Sequence, residues 1–193
     1  MNLQWAQGIA AGMMRALRPF CERIEIAGSI RREKRHDIGD VEIICIPRRK
    51  RPEFGQPLTL PLLAEIERLR QLEVVSYRYD KNGRKSAGEK YQRLLWGATP
   101  LDLFLVTPET WGLGLVIRTG DADFSHRLVT PRQYGGAMPV AWRMDGLRIA
   151  IDGEGLLDTP EEADVFNALG LPWIVPHDRT EAVLRKLLKG QLT

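Results

Sequence analysis

Residues 27–44, AGSIRREKRHDIGDVEII, decide how the first half of the chain folds. Upstream, RIEIAG alternates apolar and polar residues and stops on Gly28, as a strand entering a tight turn does. SIRREK allows one or two helical turns, and DVEIICIP is a second strand halted by Pro47. Strand alternation puts the side chains of Asp40 and Glu42 on one face, a few ångströms apart. Two unpaired carboxylates so placed repel unless a cation lies between them. Gly28 permits close backbone approach, Ser29 offers a hydroxyl, and exposed amides at a helix start attract phosphate. Arg31 and Arg32 add charge suited to the same anion.

Outward from this segment the pattern stays mixed. Residues 3–19 have helical apolar spacing, and a second helix is expected in LTLPLLAEIERLRQL, capped by Thr59 with Pro61 in its first turn. Between the second strand and that helix lies the basic Pro/Gly loop RRKRPEFGQP, residues 48–57. EVVSYRYD and EKYQRLLWG read as an antiparallel pair around KNGRKSAG, PLDLFLVT as a further strand and PETWGLGLVIR as a short helix. Asp102 sits inside PLDLFLVT, so three acidic side chains share one patch if the two acidic strands are neighbours. Oxygen-only ligation of this kind suits two Mg²⁺ or Mn²⁺ ions.

After residue 120 the sequence suggests a helix in DADFSHRLVTPRQYGG and a hairpin around Asp145-Gly146. TPEEADVFNALG reads as a helix with Thr159 as N-cap and Gly170 as stop, and a last helix closes the chain. The fold class expected is α+β: a mixed β-sheet with helices on one face, followed by a small α/β unit.

The 193 residues, 44% hydrophobic and 27% charged, suffice for an ordinary core. No apolar run is long enough to cross a membrane, and the N-terminus reads as an amphipathic helix, so no membrane partner is expected. Cys21 and Cys45 have neither a disulfide-framework nor a zinc spacing, which fits a reducing cytoplasm. The net charge of +3 is unevenly spread: residues 1–98 carry 19 Lys+Arg against 12 Asp+Glu, and residues 99–193 carry 9 against 13. A basic half suggests a polyanion partner. His36, His126 and His177 have no partner at ligand spacing, and the five tryptophans read mainly as packing residues.

Taken together, GSIRREKRHDIGDVEI, TPLDLFLV, RTGDADFSHRL and DTPEEADVFNALGLPWIVPHDRTE resemble, in this order, motifs of the family X DNA polymerases, the nucleotidyltransferases related to DNA polymerase beta. The resemblance implies a nucleotidyltransferase palm at 1–120 and a thumb at 121–193. It implies that Asp40, Glu42 and Asp102 are the catalytic carboxylates and hold two metal ions, with Asp102 helping to deprotonate a primer 3′ hydroxyl. Gly28, Ser29 and Arg32 would contact the β and γ phosphates of the nucleotide, with Gly39 giving room. Thr119 and Gly120 would lie along its sugar, and Phe124 and Ser125 would face its base. Lys81, Arg84, Lys85, Lys90 and Arg93 fall on the basic hairpin expected to contact DNA backbone phosphates.

The sequence departs from that pattern at several points. Glu42 replaces the usual Asp, Ile117-Arg118 replaces an aromatic pair, Asp121 replaces Ser, and Pro100 stands where Arg is common. About 20 residues precede the first strand, so the expectation is a minimal palm-plus-thumb enzyme without a lyase domain. The expected partners are a primer–template or gapped DNA and a nucleoside triphosphate, in the cytoplasm, or the host's if the gene is viral. Two alternatives stay open: a template-independent transferase acting on RNA ends or a protein, and an inactive nucleic-acid-binding module.

Overall fold

The computed structural model describes residues 1–50 and 59–190, so most of the basic loop at 48–57 lies outside the described residues. The chain divides into two compact units, one of residues 1–30 and 34–106, the other of residues 31–33 and 107–193. Residues 107–120, grouped with the palm on sequence, therefore lie in the second unit.

The first unit is a five-stranded mixed sheet with helices on one face. Its elements are α1 (Leu3–Leu17), β1 (Cys21–Ile26), α2 (Gly28–Arg31), β2 (Val41–Pro47), α3 (Pro61–Gln71), β3 (Val75–Tyr77), β4 (Tyr91–Trp96) and β5 (Thr99–Leu105), with the last residue of α2 grouped in the other unit. The strand order is β1-β2-β5-β4-β3. β2 and β5 run parallel, and the other three pairings are antiparallel. α1 buries Ala6, Ala10, Met13 and Leu17, and α3 buries Leu62, Ile66 and Leu69, against Val41, Ile43, Cys45, Leu101, Leu103 and Leu105. These strand residues are odd-numbered, so alternation turns Glu42 and Asp102 to the opposite face of the sheet. Asn2 caps α1 through a hydrogen bond accepted from the Trp5 amide.

One local expectation fails here. The N-cap of α3 is Leu60, without a side-chain hydrogen bond, and not Thr59. Thr59 instead pairs with Lys50 in an isolated antiparallel bridge, while Pro61 starts the helix as expected.

The second unit comprises α4 (Trp111–Thr119), α5 (Ala122–Leu128), a three-stranded antiparallel sheet of β6 (Trp142–Asp145), β7 (Arg148–Ile151) and β8 (Gly155–Leu157), then α6 (Glu162–Leu169) and α7 (Glu181–Gly190). Leu113, Val116, Phe124, Leu128, Ile149, Val165, Phe166 and Leu184 form its core. α5 is shorter than its sequence suggests, because Pro131 follows close behind Leu128. The N-cap of α6 is Glu161, in a reciprocal capping box with Asp164, and not Thr159. Thr159 is buried against α4: its carbonyl accepts from Gly112 at 2.7 Å and its hydroxyl from the Leu113 amide at 3.3 Å. Gly170 ends α6 in the left-handed conformation, as expected. Both parts are α+β, and no described helix is long and apolar enough to cross a membrane.

Candidate functional site

In the first unit, the parallel register sets Glu42 directly beside Asp102. Asp40 precedes β2 by one residue, so the three acidic positions follow one face of two neighbouring strands. Asp40 is half-buried, and its carboxyl is pushed above the usual range, first by burial and then by the charge of Asp102. Arg78 and Arg93 offset part of that effect without cancelling it.

Glu42 is positioned by Gly28. With φ at +63°, Gly28 holds a conformation that L side chains rarely adopt, and a Cβ there would overlap the Glu42 carboxylate. The Gly-Ser step is therefore a place where backbone and carboxylate approach closely. Ser29 accepts a hydrogen bond at its carbonyl from the Lys34 amide, 3.0 Å, which closes the turn. Gly39 is exposed, with open space where a side chain would stand.

Asp102 gathers three groups that the sequence did not single out for this role. Arg78 donates to its Oδ1 at 2.9 Å, and Arg93, its partner across β4 and β5, lies 3.8 Å away. The Tyr91 hydroxyl is pushed up to about 12, by burial first, then by the charge of Asp102 and a hydrogen bond to it. Tyr91 in turn stacks on Phe104 at 4.9 Å. The buried Nε atoms of Arg78 and Arg93 have no hydrogen-bond acceptor.

The donor set fits a hard divalent cation: the ligands are all carboxylates, on one face, and Asp40 and Asp102 repel each other. Among the described residues no three His, Cys, Asp or Glu side chains already stand together as a metal cluster. An ion at this place would have to draw them together.

Of the hairpin residues, Lys81, Arg84 and Lys90 are exposed. Lys85 lies over the Tyr77 ring at 4.8 Å. Arg93 faces Asp102 and is thereby withdrawn from the basic surface. Asp80 shapes the tip by accepting from the amides of Asn82 and Arg84.

In the second unit, Arg32 donates to the carbonyls of Thr119 (2.5 Å) and Gly120 (3.0 Å). Arg31 donates to Thr119 Oγ1 at 2.8 Å and makes a two-pronged pair with Glu162 at 2.6 and 2.7 Å. Arg179, fully buried, donates to the same carboxylate at 2.5 Å and to the Ile174 carbonyl. Burial works to raise the Glu162 carboxyl, but the hydrogen bonds from Arg31 and Arg179 prevail and hold it below the usual range. No local pattern marks this network, since Glu162 and Arg179 come from separate elements.

Two expected nucleotide contacts have no free surface. Phe124 is fully buried in the core, where it packs against Gly120, so its ring offers no face to a base. Thr119 is also fully buried, its hydroxyl engaged by Arg31. Ser125 donates to the Ile117 carbonyl at 2.7 Å, which anchors α5 to α4. Gly120 fits between these side chains because a Cβ would strike Phe124.

Residues 114–180 match the family model of the DNA polymerase beta thumb. The match covers about a third of the chain, all in the second unit, and supports a relationship to the family X polymerases. No curated protein matches the chain.

Proposed function

We propose that this chain is a metal-dependent nucleotidyltransferase that adds deoxynucleotides to a DNA primer 3′ hydroxyl, in gap filling or repair, and releases pyrophosphate. The observation that carries the reading is the register of β2 on β5, which sets Glu42 beside Asp102 with Asp40 next on the same face. The thumb match supports a polymerase-like class.

Asp40, Glu42 and Asp102 would hold Mg²⁺ or Mn²⁺, which when bound supplies charge neutralisation at the reacting phosphate and acidifies a coordinated hydroxyl. Asp102 receives the proton of the primer hydroxyl, and Tyr91, hydrogen-bonded to it, keeps its carboxylate oriented. Gly28 and Ser29 present backbone to phosphate oxygens at the turn over Glu42. Arg32 spends one nitrogen on Thr119 and Gly120 and keeps other donors for phosphate. Lys81, Arg84, Lys85 and Lys90 give the hairpin its contacts with DNA backbone.

The ion pair on Asp102 favours a second reading, an inactive nucleic-acid-binding module in which Arg78 occupies the place of a cation. A labelled primer–template, a one-nucleotide gap and a bare single strand, each with Mg²⁺ or Mn²⁺, separate the readings. Template-directed extension is expected. Extension indifferent to template sequence would make the enzyme a template-independent transferase, and no transfer with retained DNA binding would leave the binding module.

A further inference from the structure

The basic residues beside the C-terminal ends of α1 and β2 take no part in the carboxylate site. A cavity of about 540 Å³ opens there in the first unit. Arg15 and Arg18, at the end of α1, and Arg48, just past β2, line it together with Met14, Pro19 and Ile26. All three arginines are exposed, and among the described residues none forms an ion pair. Arg48 and Arg18 reach over the same strand end. The buried Cys21 thiol there is lowered first by its hydrogen bond with Cys45 and, against burial, further by these two charges.

Three guanidinium groups, two from the end of α1 and one from just past β2, line one cavity and repel one another, and a single oxyanion bridging them relieves that repulsion. Their planar donor forks match phosphate oxygens, and Met14, Pro19 and Ile26 give an apolar contact for an adjoining sugar or base. We propose that this cavity binds a backbone phosphate of a nucleic-acid strand, as a second hold on the polymer apart from the carboxylates. A free phosphate or nucleotide carries the same chemistry. The polymer is favoured by the continuation of positive charge through Arg49 and Lys50 and by the +7 balance of residues 1–98. Exposed arginines compete poorly with water for one small ion, whereas a polymer adds counterion release at each contact. The proposal rests on the polymerase reading only for the kind of polymer bound.

The test compares the full chain with the triple variant Arg15→Gln, Arg18→Gln, Arg48→Gln by fluorescence anisotropy. The probe is a labelled 20-base-pair duplex in EDTA over a range of salt. The variant is expected to melt at the unchanged temperature, bind about tenfold more weakly at 0.1 M salt, and lose about 2–3 from the slope of log K against log salt. Equal affinity and slope in the two proteins would overturn the proposal. A second arm adds inorganic phosphate or dATP and follows thermal protection. If either protects the wild type but not the variant while duplex affinity is unchanged, the cavity is a small-anion site and the nucleic-acid assignment falls. Primer extension is read separately: absent transfer in the wild type sinks the polymerase reading and leaves the binding result standing.

Discussion

The two units each contain a cluster of charged side chains, and the clusters are balanced in opposite ways. In the second unit Glu162 is nearly enclosed, yet Arg31 and Arg179 hold its carboxyl below the usual range. In the first unit Asp40 is only half-buried, yet its carboxyl is held above that range. Burial opposes ionisation in both. The difference lies in the neighbouring charges: hydrogen bonds from two guanidinium groups in one case, and in the other a carboxylate whose effect Arg78 and Arg93 do not cancel. A carboxylate satisfied from within the chain stabilises the fold, whereas one held above its usual range by burial and a like charge favours a ligand that brings positive charge.

The sharpest break of this contrast comes from removing a carboxylate of the first cluster. Asp40→Ala and Asp102→Ala are each expected to lower nucleotide transfer by on the order of 10³-fold or more, with circular dichroism unchanged. Near-normal extension by either variant would end the metal assignment.

Glu162→Ala tests the other side. It leaves Arg179 buried without its carboxylate and is expected to cost about 3–5 kcal/mol of stability, read from urea unfolding. A cost near zero would show that the pair contributes little beyond solvated charge.

Acid titration in EDTA should separate the clusters by sign. The Glu162 carboxyl is lowered in the fold, so its stabilisation is full above the unfolded value of about 4.3 and is lost as pH falls through the lower folded value. Asp40 is raised, so its contribution is full below the unfolded value and is lost as pH rises through the folded one. Asp40→Asn is therefore expected to be more stable than the wild type at neutral pH, with the advantage fading in acid. Equal stability at both ends of the range would show that Asp40 is relaxed in the free protein.

A smaller effect is expected at Arg78. Arg78→Gln removes a positive charge from Asp102 and should tighten Mn²⁺ binding several-fold, on the order of 1 kcal/mol, in a calorimetric titration. Weaker binding would mean that Arg78 positions the ligand instead of competing with the ion.

Local features of both units were legible in the sequence. The alternation in DVEIICIP placed Asp40 and Glu42 on one face, and the register of β2 on β5 adds Asp102 as their neighbour. Gly170 marked the end of α6 and Pro61 the start of α3, because left-handed backbone and a missing amide are local properties. The caps misled for an equally physical reason. Thr159 has the right chemistry for an N-cap, but α4 engages its hydroxyl and carbonyl first. Phe124 suggested a base contact until packing enclosed it.

By itself the sequence determined the mixed α+β plan, the polar face with its acidic pair, and the glycine turn beside it. These depend on alternation, chain stiffness and the absence of a side chain, all settled within a few residues. Only the tertiary structure decided which charges meet. Arg78 reaches Asp102 across 24 positions and Arg31 reaches Glu162 across 131. Such pairs depend on strand register and helix packing, and their energy depends on how much water the fold leaves around them. The same segment that reads as one motif, residues 27–44, thus contributes Gly28 to the setting of Glu42 in one unit and Arg31 to the satisfied pair in the other.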